Sequence, residues 1–202
     1  MYRLNNQKIE KMAKIAKFGQ VLYHTEDLAN LWQITKSNTL YTTIKRYIKK
    51  GILFKIYKGF YSIKPIEDVE PFLLGSKALH EYCYVSAETV LAQEGIIQQN
   101  IDYITFISSR SKHFSIGENN YYSRRLKDEF LFQQEGIIEK NGIKFATVNR
   151  AIADILYFNP KTYFDAAKFI DWKEVRKMQK RIGYRVIDLR VIRKTQIKPF
   201  HS

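Results

Sequence analysis

Residues 47–63 read YIKKGILFKIYKGFYSI, a stretch in which Tyr47, Lys49, Lys50, Lys55, Tyr57, Lys58 and Tyr61 alternate with apolar side chains and Gly51 and Gly59 act as breaks. Gly51 reads as the stop of a preceding helix, Ile52 to Tyr57 as a strand, Lys58-Gly59 as a tight turn, and Phe60 to Ile63 as the returning strand. A hairpin of this composition can lay apolar residues on helices while Lys55, Tyr57 and Lys58 stay outside, beside a polyanion. What precedes it decides whether that is its use.

Working upstream, Ser37 is a candidate cap for a helix from about Asn38 to Lys50. On a helical wheel Leu40, Ile44, Tyr47 and Ile48 gather on one side, and Asn38, Thr42, Lys45, Arg46 and Lys49 on the other. Before it lies the polar turn QITKS, and before that a helix that Thr25 would cap, with Glu26 and Asp27 in its first turn and Leu28, Leu31 and Trp32 facing inward. A first helix spans residues 7–18, with Ile9, Met12, Ala13 and Ala16 on its apolar face and Lys8, Lys11, Lys14 and Lys17 on another; Gly19 ends it, and the short apolar stretch Val21, Leu22, Tyr23 follows. Three helices and a hairpin make a winged helix-turn-helix over residues 1–66. In that arrangement small polar residues at the start of the third helix (Asn38, Thr39, Thr42) approach base edges, while Lys36, Lys45, Arg46, Lys49, Lys55, Tyr57 and Lys58 approach phosphates.

Charge follows the same division. Of a net +14, residues 1–66 carry 13 Lys and Arg against 3 acids, residues 67–172 carry 11 against 15, and residues 173–202 carry 10 against 2. Two basic ends around a mildly acidic middle point to a polyanion held by particular parts of the chain. Double-stranded DNA fits best; an RNA surface and an acidic protein partner are the alternatives. The 202 residues are 45% hydrophobic, enough for real cores. No apolar run is long enough to span a bilayer and the N-terminus lacks a signal core, so the expectation is a cytoplasmic protein without membrane contact. Cys83, the single cysteine, forms no intrachain disulfide or cysteine zinc site and reads as packed and inert.

Pro65 and the acidic IEDVEP mark the boundary to a second, mixed α/β domain over residues 67–202, giving an α+β chain overall. Pro71 opens a helix covering 72–82, Ser86 caps another to Glu94, and Gly95 closes it. DYITFISS alternates as a strand, Lys112 to Ser123 reads as a hairpin around Gly117, and Asn141-Gly142 is a strong hairpin signal. Thr147 caps a helix through Phe158, Pro160 starts another, and Asp171 begins a last one reaching about Arg181. Arg110, Lys112, Arg124, Arg125 and Lys127 fall in or beside loops, and Arg176, Lys177, Lys180 and Arg181 cluster on the last helix ahead of a basic tail; all but Lys127 are candidates for secondary DNA or partner contacts.

Three stretches, YIKKGILFKIYKGFY, YVSAETVLAQEGII with ITFISSR, and FATVNRAIADILY, resemble the AbiEi family of antitoxins of type IV toxin-antitoxin systems, over about residues 25–158. Where that family often carries arginine before the wing glycine, this chain has Lys58, which keeps the charge and loses the planar fork. The resemblance implies a transcriptional repressor of its own operon that binds promoter inverted repeats, with cooperative binding of two protomers, and an antitoxin domain that counters a cognate nucleotidyltransferase-like toxin in phage defence.

Enzyme chemistry finds little to stand on. His24, His80, His113 and His201 have no metal-ligand spacing, so no cofactor or metal is expected. Arg150 and Asp154, one turn apart, read as a helix-surface ion pair or as an Asp tying the helix to the sheet. No Glu-x-Lys tripeptide of the paired-acid nucleases and no phosphate-cradling GxxxxGK[ST] loop occurs. The rivals to a repressor are a protein-interaction module gripping an acidic toxin and, behind it, a nuclease.

Overall fold

The structure is a computed structural model that describes residues 2–188, 190, 191 and 196, with side chains from residue 10 onward. The chain is α+β and divides into two compact units, residues 1–74 and 75–202.

The first unit runs α1 (Tyr2–Phe18), β1 (Leu22–His24), α2 (Thr25–Trp32), α3 (Ser37–Lys49), β2 (Phe54–Tyr57) and β3 (Phe60–Ser62). Its strands form an antiparallel sheet in the order β1-β3-β2. The apolar stretch before α2 thus becomes a third strand beside the hairpin. As the central strand, β3 is buried throughout, which lifts the polar-apolar alternation that an isolated hairpin would show. Ile15, Tyr23, Leu28, Trp32, Leu40, Ile44, Tyr47, Leu53 and Tyr61 share one core.

Three local expectations change in this unit. The face that α1 buries is that of Ile15, while Met12 stays 45% exposed and Ala13 and Ala16 are exposed. The two alanines offer little area to bury, and the Tyr23 hydroxyl, donating to the Ile15 carbonyl, fixes the other rotation. Thr25 is the first residue of α2 and not its cap: His24 stands at that position, its N–H bonded to the Asp27 carboxylate at 2.7 Å. Ser37 likewise lies inside α3, where Lys36 is the cap residue without a side-chain cap bond.

The second unit holds α4 (Pro71–Leu79, entered from the first unit), β4 (Cys83–Val85), α5 (Ala87–Gln93), β5 (Ile104–Ser108), β6 (Lys112–Ile116), β7 (Asn119–Arg125), α6 (Asp128–Leu131), β8 (Ile137–Lys140), β9 (Ile143–Ala146), α7 (Val148–Phe158) and α8 (Trp172–Ile182). Its mixed six-stranded sheet has the order β6-β7-β5-β4-β9-β8. Central β4 pairs antiparallel with β5 and parallel with β9. All three of its residues are buried, so no alternation announces it. Asn141 and Gly142 have φ of 52° and 75°, the left-handed pair that a two-residue hairpin requires. Thr147 and Asp171 cap α7 and α8 through their side chains. No helix starts at Pro160: Asn159 accepts the N–H of Lys161 on its side chain and the N–H of Thr162 on its carbonyl, closing a turn, and the segment holds only a 3-10 turn at Ala167–Phe169.

Arg150 and Asp154 are both fully buried and not on a helix surface. The five N–H groups of Arg150 meet the Asp154 carboxylate at 3.0 Å, the carbonyls of Gln133, Glu135 and Phe130, and the Tyr84 hydroxyl. Asp154 accepts in turn from Ser86 and Tyr184, both at 2.7 Å. One ion pair thereby ties α7 to central β4, to the start of α5, to the segment between α6 and β8, and to the chain beyond α8. Burial pushes the Asp154 carboxyl up, against the pull of Arg150 and of the two hydroxyls.

Cys83 is buried, and burial pushes its thiol up to about 12. A thiol held that high stays protonated at neutral pH. The native protein should therefore react with a disulfide reagent at pH 8 far more slowly than the urea-unfolded chain, as thiol titration would measure.

Candidate nucleic-acid interface

In α3 one backbone turn after another presents the same exposed face. Asn38, Tyr41, Thr42, Lys45 and Lys49 are exposed within an arc of ~100°, with Thr39 and Arg46 on its flank and Lys36 just ahead of the first turn. The opposite face carries Leu40, Ile44 and Tyr47, each at most 5% exposed, so the rotation of the helix is fixed by its core contacts. Two of the threonines bond back to the helix. Thr42 donates its hydroxyl to the Asn38 carbonyl at 2.7 Å, and buried Thr43 donates to that of Thr39 at 2.8 Å. Tyr41, 52% exposed, is a member of this face that charge-based reading misses, since an aromatic residue in a helix is ordinarily assigned to the core.

The hairpin turn is held from beneath. The Gly59 carbonyl accepts both the N–H of Thr25 at 2.9 Å and its hydroxyl at 3.3 Å, so the start of α2 pins the turn that carries Lys58. Gly59 has φ of +90°, which L side chains rarely adopt. β2 is an edge strand, and Lys55 and Lys58 are exposed on it and on its turn. Tyr57 is 39% exposed with its ring 5.1 Å from Phe60, and burial raises its hydroxyl. Each of the ten residues expected at the interface therefore belongs to the first unit, and all of them are exposed.

The second unit treats its expected cations unequally. Arg124 is turned inward: it pairs with Glu88 and lies over the rings of Tyr122 and Phe158 at 5.2 and 5.5 Å. It braces β7 against α5 and is spent on packing. Arg110 is exposed but bonded to Glu81 at 3.0 Å. Burial would raise the Glu81 carboxyl, yet its bonds from Ser109, Ser108 and Arg110 hold it below its ordinary value. Lys112 lies 4.9 Å over the Phe114 ring, and Arg125 and Lys127 are exposed. On α8, Lys173, Arg176, Lys177 and Lys180 line an open groove of about 360 Å³. Lys177 is paired there with Glu174 at 2.6 Å, and Arg181 faces Glu135 at 3.9 Å. Of the basic tail, residues 189, 192–195 and 197–202 lie outside the described residues.

Among the described residues no group of three His, Cys, Asp or Glu side chains is arranged to hold a metal ion, and no helix is long and apolar enough to cross a membrane.

No protein-family model matches the chain, and no curated protein matches it. Among solved structures it is similar to the RV2827C protein from Mycobacterium tuberculosis, with a TM-score of 0.47 and 10% sequence identity over 94% of this chain and 71% of that one.

Proposed function

We propose that this chain binds duplex DNA as a transcriptional repressor, with its N-terminal unit working as a winged helix-turn-helix. The observation that carries the reading is α3. Its buried face is wholly committed to the core, and its exposed face is polar at the start and cationic from Lys45 onward. A helix of this kind can enter a major groove, offering short polar side chains to base edges and lysines to the flanking phosphates. The pinned turn with Lys58, and Lys55 on the edge strand, are suited to backbone contacts.

The resemblance to AbiEi antitoxins extends the proposal. The chain would repress its own operon from promoter inverted repeats, bound cooperatively by two protomers in the cytoplasm. The second unit would counter a nucleotidyltransferase-like toxin, and no catalysis is assigned to either unit. One observation favours a second reading: the cationic groove on α8 suits an acidic protein partner as well as it suits phosphates.

A mobility shift on the DNA upstream of its own reading frame tests the proposal. A retarded complex should survive a large excess of random duplex, because specific sites exceed non-specific ones by ~10³-fold or more. If no duplex is retarded even at low salt, the protein-interaction reading takes its place.

A further inference from the structure

The chemistry of the first two turns of α3 narrows what such a helix could read, provided it reads duplex DNA as proposed above. Thr42 stands on the exposed face, on the side toward Thr39 and Arg46, and its single hydroxyl hydrogen is already used on the Asn38 carbonyl, at 2.7 Å. What it has left for a ligand is a methyl group and acceptor lone pairs. Its neighbour Tyr41 adds an exposed ring, and Asn38 an exposed amide that can donate and accept at once. Within the helix the cations of this face begin only at Lys45, and Lys36, at the cap position ahead of the first turn, is assigned to a phosphate, so the leading turns themselves carry none of the Arg or Lys donors that commonly read guanine. In a major groove, an amide matches the N6 and N7 edge of adenine, and apolar surface matches the methyl of thymine.

We infer that the leading turns of α3 select A·T base pairs, Asn38 by bidentate bonding to adenine and Thr42 by apolar contact with the thymine methyl. This makes Thr42 a specificity residue through its methyl rather than its hydroxyl.

The test starts from duplexes selected by the full-length protein out of a random-sequence pool. The recovered site should hold A·T pairs, and replacing its thymines one at a time by uracil, which lacks only the methyl, should weaken binding about fourfold at one of them. Replacing the paired adenine by 7-deazaadenine should weaken the native protein by ~5-fold or more and leave Asn38→Ala unaffected. Two variants separate methyl from hydroxyl. Thr42→Val should keep the preference for thymine over uracil, and Thr42→Ser, which retains the back-bonded hydroxyl, should lose it. Both positions are exposed, so these variants are expected to fold. A recovered site made of G·C pairs, or equal binding of thymine and uracil by the native protein at every position, overturns the inference while duplex binding itself stands. Failure to recover any duplex overturns the inference and the proposed function together.

Discussion

Arg150→Met is expected to destabilise the second unit by about 3–5 kcal/mol, the cost of leaving a buried charge without its partner. Methionine fills much of the volume but returns none of the five bonds, so the Asp154 carboxylate keeps only the hydroxyls of Ser86 and Tyr184, and the carbonyls of Gln133, Glu135 and Phe130 lose a shared donor. Against a typical domain stability of ~5–15 kcal/mol, a loss of that size removes a large share of the total. Urea unfolding followed by circular dichroism measures it. The double variant Arg150→Met/Asp154→Leu should be less destabilised than Arg150→Met alone, since removing both charges lifts the desolvation penalty with them. If the single variant costs less than ~1 kcal/mol, the network is not the tie between α7 and the sheet that its geometry indicates.

Replacing Lys45, Lys49 and Lys58 together by alanine should lower duplex affinity on the order of 10- to 100-fold at moderate salt. All three are exposed, and none takes part in the core of the first unit, so the loss would not come from unfolding. Each lysine that neutralises a phosphate releases condensed counterions, and that release is a main source of affinity for a nucleic acid. The effect should be nearly the same on every sequence. Asn38→Ala, in contrast, should erode discrimination and spare most of the non-specific affinity. Fluorescence anisotropy on one specific and one random duplex separates the two behaviours.

Features set by local chemistry were legible in the sequence. Gly51 just after α3, Gly59 in the turn after β2, the Asn141-Gly142 turn, and the caps Thr147 and Asp171 each act through their own backbone or a neighbour a few residues away. The exposed face of α3 was legible too, because a 13-residue helix carries enough turns to define both sides. What stayed hidden depends on distant partners. The rotation of α1 is set by Tyr23 and the core beneath it, which its weak Met12, Ala13 and Ala16 stripe does not foretell. β4 is three residues long and buried on both faces, so it has neither length nor period to read. Arg150 and Asp154 have the spacing of a surface pair, and only the fold brings Tyr84 and Tyr184 to them. Arg124 carries the same formal charge as Arg125 beside it, but strand alternation sends one toward Glu88 and the other to solvent. Ser86 sits at the cap position expected of it, yet its hydroxyl is drawn away from α5 to Asp154.

The most direct test of the central claim is the salt dependence of duplex binding by the full-length protein, compared with that of Lys45→Ala/Lys49→Ala/Lys58→Ala. Plotted as log affinity against log salt, the native slope should be steep and negative, and the triple variant should be shallower by ~3, about 0.9 for each phosphate that is no longer neutralised. An unchanged slope, or no duplex binding by the native chain at low salt, would contradict the assignment of this face to DNA.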